Sequence, residues 1–138
     1  MSIELIRTDV VTKLESVRSG FSDGYTLVIE YDNRIIVDTK THTDPFLCVE
    51  VKLLTADQVD LSLTPTHRFW GQIGLSAAVP EGSGSSKANK LLDYFYKQLH
   101  RKAFGSVRTL MASPAPKRPH LGWEYYTMVV PFWSDQVG

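Results

Sequence analysis

The sequence predicts an α+β fold, a mixed, mostly antiparallel β-sheet with two α-helices packed on it. Three observations predict it. A chain of 138 residues suits one domain, residues 1–138, with a single core. Two segments carry apolar residues at spacings of three and four, the period of a helix. Around them lie segments that alternate with period two or run apolar on both parities, bounded by turn residues.

The first helix follows from Ile3, Ile6, Val10, Leu14 and Val17, with Ser2 as its cap and Gly20 as its stop. Glu4, Arg7, Asp9, Lys13, Glu15 and Arg18 fill its wet face. Tyr25 to Tyr31 alternates and predicts a strand, followed by turn chemistry at Asp32-Asn33. The β-branched run Ile35-Ile36-Val37 predicts a second short strand within Arg34–Asp38. Thr39 to Pro45 is polar, ends in proline and reads as a projecting loop. Phe46 to Leu54 is a third strand with Leu47, Val49, Val51 and Leu53 facing inward. In Ala56–Pro65, Val59, Leu61 and Leu63 alternate with Asp60, Ser62 and Thr64, which fits a strand edge or an extended arm.

The stretch from His67 to Gly105 organises the rest. His67, Phe69, Gly71, Ile73, Leu75, Ala77 and Val79 share one side of a strand long enough to cross a whole sheet. Pro80 to Ser86 stops it, and Ser85 or Ser86 caps the next helix. That helix buries Ala88, Leu91, Leu92, Phe95, Leu99 and Ala103, with Gly105 placed to end it. Val107 to Ala112 reads as a short strand. Ser113 to His120 holds three prolines, so helix and central strand are excluded and a stiff exposed loop is expected. Trp123 to Trp133 is apolar on both parities, which predicts a last strand covered on both faces.

Composition is that of an ordinary soluble chain, 43% hydrophobic and 22% charged. No run approaches the roughly 20 apolar residues that cross a bilayer, and the N-terminal residues lack the basic-then-apolar order of a secretion signal. The single cysteine, Cys48, excludes a disulfide framework and favours synthesis inside a cell. Net charge is zero but divided. Residues 1–66 carry 11 acids and 6 bases, residues 67–138 carry 4 acids and 9 bases. A neutral total argues against bulk attraction to nucleic acid, while two opposed regions suit contact between copies of the chain.

No catalytic constellation is visible. Gly82-Ser83-Gly84-Ser85-Ser86-Lys87 lies where phosphate loops lie, but its spacing departs from both glycine-rich fingerprints, and a plain connection accounts for it better. His42, His67, His100 and His120 do not pair at ligand spacing, so neither metal nor cofactor is expected. Cys48 reads as a small packing residue, and Ser76, Ser83 and Ser113 lack a nucleophile-elbow context. Lys87, Lys90, Tyr94, Lys97 and Arg101 form the outer stripe of the second helix. With Lys117 and Arg118 they offer the alternative of a small nucleic-acid-binding module. A small acyl- or phosphate-group enzyme built on the glycine loop is a third class.

The chain resembles the tail terminator, or tail completion, proteins of long-tailed, non-contractile bacteriophages, the lambda-like group. The resembling pieces are Met1-Ser2-Ile3-Glu4-Leu5-Ile6-Arg7, Tyr31-Asp32-Asn33, Phe46-Leu47-Cys48-Val49-Glu50-Val51 and, above all, Arg68 to Phe104. In that last piece Ala78-Val79-Pro80-Glu81-Gly82-Ser83-Gly84 leads into Ala88-Asn89-Lys90-Leu91-Leu92-Asp93-Tyr94-Phe95. Arg34 to Pro45 is longer than the family pattern.

The resemblance implies a non-enzymatic virion protein, made in the host cytoplasm. It would form a hexameric ring on the head-proximal end of the tail tube, stop tube growth and present a surface for head joining. Its implied partners are its own copies, the tail tube protein and the head completion or connector protein, with nucleic acid only passing through the ring and no membrane. The polar, proline-bearing segments Asp38–Pro45 and Ser113–His120 would reach those partners. Candidate interface residues are therefore Asp38, Lys40, His42, Lys117, Arg118 and His120, with Trp70 and Trp133 as apolar rim anchors.

Overall fold

The computed structural model describes residues 3–32 and 34–137. Ser2, the expected cap, and Asn33, half of the expected turn, lie outside them. The described residues form α1 (Ile3–Arg18), β1 (Ile29–Tyr31), β2 (Phe46–Gln58), β3 (Thr66–Pro80), α2 (Ser86–Leu99), β4 (Ala103–Phe104), β5 (Val107–Thr109), β6 (Ser113–His120) and β7 (Trp123–Val137). The fold is α+β, with the sheet in the order β1-β2-β3-β7-β5-β4 and β6 pairing with β7. β1 runs parallel to β2, and every other pair is antiparallel.

Both helices cover one face. Their apolar stripes, Ile6, Val10 and Leu14 on α1 and Ala88, Leu91, Phe95 and Leu99 on α2, are fully buried against Leu47, Ile73, Leu75, Val130 and Phe132. The helical spacing of those residues lets each helix bury one stripe at the cost of little polar surface. β3 sits at the centre, with its odd-numbered residues from Phe69 to Val79 inward, as their alternation requires. Gly71 is on that inward side because a Cβ there would meet the Phe132 ring and the Lys52 carbonyl.

Several elements differ from expectation. β1 covers only Ile29–Tyr31, because Tyr25 instead packs edge-on against Phe21, which in turn meets Tyr94. Ile35-Ile36-Val37 is no strand. The Ile36 and Val37 amides donate to the Glu30 carboxylate at 2.7 and 2.8 Å, so no ladder claims them. This segment is part of the long return that a parallel β1–β2 pair demands. Ser85 occupies the N-cap of α2, but its side chain makes no capping bond. Gly105 does not end α2, which stops at Leu99. It turns the chain between β4 and β5 with φ 54°, pressed against the Asp9 carboxylate. Ala103 accordingly lies on β4 and is exposed. The short strand expected over Val107–Ala112 is confined to Val107–Thr109.

The proline-rich stretch Ser113–His120 is also not a free loop. It forms an edge strand on β7, with its register broken between Ala115 and Arg118, and prolines are tolerated there because one side of the strand needs no donors. Leu121 and Gly122 close the β6–β7 hairpin, both at positive φ (50° and 84°), as a two-residue turn of the I′ kind requires. Finally, β7 is not covered on both faces. Its even residues Met128, Val130 and Phe132 are buried, but Tyr125, Thr127, Val129 and Trp133 are only half-buried, because no helix among the described residues crosses the second face of the sheet.

Candidate interaction surface

That second face is built from Phe46, Cys48, Glu50 and Lys52 on β2, from Arg68, Trp70, Gln72, Gly74 and Ser76 on β3, and from the odd residues of β7. Its middle is small and polar. Ser76 and Thr127 sit side by side with their hydroxyls 3.0 Å apart, with Gly74 the next residue of β3 on the same face. The result is an open trough of about 810 Å³, lined by Val37, Phe46, Tyr125, Val129, Arg118 and His120 among others.

One end of the trough is walled by the β1–β2 return. Val37, Phe46, Ala78 and Trp123 form a second small core there. Trp123 Nε1 donates to the Thr39 carbonyl at 3.2 Å, and His42 stacks on the Trp123 ring with centroids 6.2 Å apart. Beneath this wall the Cys48 Sγ lies 3.5 Å from Glu30 Oε1 and donates to it. Burial, and then the neighbouring carboxylate, pushes the Cys48 thiol up to about 12. It therefore stays protonated at neutral pH and serves as a packing residue, the role its strand position suggested.

The other end is aromatic. Trp70 and Trp133 are directly paired across β3 and β7. Arg68 lays its guanidinium over Trp133 at 4.4 Å and bonds Asp135 through Nε at 2.7 Å and Nη2 at 2.9 Å. That bidentate bond holds the Asp135 carboxyl below the usual carboxylate range. Past this platform the three-stranded ribbon outruns the helices. Residues 54–58 of β2 are exposed on both faces. The β2–β3 connection, residues 59–65, ends the ribbon with Leu61 and Leu63 fully exposed (98% and 104%). The tip is nevertheless ordered. The Asp60 carboxylate accepts from the Ser62 amide and hydroxyl and from the Thr66 amide, and Gln58 Nε2 donates to the Asp60 carbonyl.

The interface candidates therefore divide. Trp70 and Trp133 form one platform, Arg118 and His120 line the trough, and His42 stands in its end wall. Asp38 and Lys40 remain exposed on the return, where the Asp38 carboxylate accepts from the Lys40 amide at 3.0 Å. Lys117 turns away, pairing with Glu124 at 3.5 Å and lying over the Tyr126 ring. The outer stripe of α2 is interrupted. Lys90 is 3.8 Å from Asp23, and the Tyr94 hydroxyl donates to the Val17 carbonyl. The exposed leucines of the tip fall in the alternation of residues 59–64, which predicts a strand edge or an extended arm but no surface for them. Glu30, which anchors the return, carried no sequence signal, since only the fold brings it to Ile36 and Val37.

No protein-family model matches the chain, and no curated protein matches it. In fold the chain is similar to a solved protein that it matches with a TM-score of 0.72 over 99% of its own length and 96% of the other's, at 15% identity. That likeness shows the fold alone. No helix among the described residues is long and apolar enough to cross a membrane.

Proposed function

We propose that this protein is a structural tail terminator of a non-contractile phage tail, assembling as a ring on the head-proximal end of the tail tube. One observation carries the assembly reading: an ordered hairpin tip holds two bare leucines at the end of a sheet whose second face is uncovered. Side chains this apolar, exposed on a turn whose Asp60, Ser62 and Thr66 are joined by hydrogen bonds, suit a contact that a single copy does not make. The charge division supports the same reading. The strands of the acidic half, β1 and β2, form one flank of the sheet, and the strands of the basic half form the other. Opposed flanks favour head-to-tail contacts, which close into a ring when the rotation per copy is fixed. Placement on a phage tail rests on the resemblance over residues 1–104.

The test is genetic. A phage lacking the protein makes tails of uncontrolled length that do not join heads. Normal-length, head-joined tails in its absence overturn the terminator reading.

A further inference from the structure

β2 has an edge without a neighbour. β1 pairs with it only over Leu47–Val49, and the Asp32 amide closes that ladder on the Val49 carbonyl at 2.9 Å. From Val51 to Gln58, among the described residues, β2 is paired on its β3 side alone. The Leu47 amide and the Val49 carbonyl bond toward β1, so by strand alternation Val51 and Leu53 turn their amides and carbonyls to the free side. The bulge between Leu53 and Thr55 shifts the alternation by one, and the Val59 amide donates inward to the Thr66 carbonyl at 2.9 Å. Ala56 and Gln58 therefore carry the outward groups beyond the bulge. Such a row is a template for another strand. One antiparallel register of the edge with itself pairs all of these groups, Val51 with Gln58 and Leu53 with Ala56 of a second copy, and the bulges then face each other. The main chain selects that register without reference to side chains, and the side chains agree with it. Lys52 and Asp57, which both stand on the second face beside Gln72 and Arg68, come opposite each other twice over. Leu53 meets Ala56 on the helix-covered side. Among the described residues Asp57 makes no ion pair, and Lys52 reaches only Glu50, at 3.9 Å and with both side chains about half exposed.

We propose that β2 of one copy pairs with β2 of a second copy along this edge, antiparallel and about a twofold axis between Leu54 and Thr55, so that the two sheets become one. The main chain supplies the hydrogen bonds, and the two Lys52–Asp57 pairs fix register and partner. A lysine and a bulge on an edge strand ordinarily turn other strands away. A strand of the same sequence answers both, with an aspartate for the lysine and a bulge for the bulge. The stretch is also bounded to fit. Beyond Gln58 the chain turns back toward β3, just before it would meet β1 of the second copy. The contact is isologous and does not rest on the ring reading, whose contacts are head-to-tail. It occupies the flank that a ring neighbour would use, so the pair is a resting form of the free chain that ring closure has to open.

The test uses the full chain. Mass followed against concentration should show a dimer for the wild type. Lys52→Asp alone, or Asp57→Lys alone, sets like charges opposite each other at both pairs, and the dissociation constant should rise about tenfold or more. Both positions are exposed, so circular dichroism should show each variant folded. Lys52→Asp combined with Asp57→Lys in one chain should restore the dimer. Mixing the two single variants should give a mixed dimer, because unlike charges then meet at both pairs. A wild-type chain that stays monomeric at every concentration overturns the pairing. So does a dimer that the single variants leave intact, or a combined variant that stays apart. All three leave the ring reading to be decided by tail length, and normal tails in a phage lacking the protein would overturn that reading while leaving the pairing in place.

Discussion

Leu121 is the first central residue of the β6–β7 turn, at φ 50°, with 81% of its surface exposed. A leucine in the left-handed region costs about 1–2 kcal/mol relative to a residue that enters it freely. Leu121→Asn should therefore raise the midpoint of chemical unfolding, and a lowered midpoint would mean that Leu121 is held by a contact the monomer depends on. Phe95 shows the opposite economy. Its ring is fully buried mid-stripe on α2, so Phe95→Ala should cost about 3–5 kcal/mol in a denaturant titration. Asp135 adds a dependence on pH. Its folded-state pKa is lowered by Arg68, so its stabilising contribution is present above the unfolded carboxylate value and is lost as pH falls through the folded one. Melting temperature followed downward from about pH 5 should fall less steeply in Arg68→Met than in the wild type. Identical slopes would show the pair to be inert. Phe95 was legible from its neighbours at helical spacing. The Arg68–Asp135 pair was not, because only strand register puts those residues side by side.

Among elements, α1 is joined to the β4–β5 turn by one side chain. The Asp9 carboxylate accepts from the Ser106 amide at 2.8 Å and its hydroxyl at 2.7 Å, and Gly105 presses against the same carboxylate. Asp9→Ala should cost about 1.5–3 kcal/mol, the range for hydrogen bonds to a charged group. Gly105→Ala should also destabilise, for its positive φ and for the clash. In a double-mutant cycle the alanine at 105 should cost less once Asp9 is gone, leaving only the backbone part. Strict additivity would show that the two sites do not touch. Elements with long, strict periods, α1, α2 and β3, could be seen in the sequence because the period itself encodes which face is buried. The 34–38 segment misled because its β-branched composition describes a preference, whereas its amides were claimed by Glu30, distant in the fold's logic though near in sequence. Ser113–His120 misled in the other direction. Proline bars a strand from the middle of a sheet but not from its edge, and only pairing with β7 shows which of the two applies.

At the scale of the whole molecule, the two-layer architecture was legible and the use of its uncovered face only partly so. Trp70 and Trp133 could be singled out by residue type, whereas the trough between them and Trp123 exists only once three strands align. The alignment has a further consequence. The central strand β3 has its second neighbour in β7, with Thr66 paired to Val137 and Pro80 to Trp123, so the middle of the sheet is joined across the greater part of the C-terminal half. Contacts so remote along the chain are entropically expensive to close and slow to form. A polypeptide emerging from the ribosome can wind α1 and α2 early, yet Gly71, Ile73 and Leu75 lack their partners Phe132, Val130 and Met128 until β7 has been synthesised. Cooperative folding should then wait for β7. Ribosome-bound chains halted before Trp123 should remain open to protease, and protection should appear in one step once β7 clears the exit tunnel.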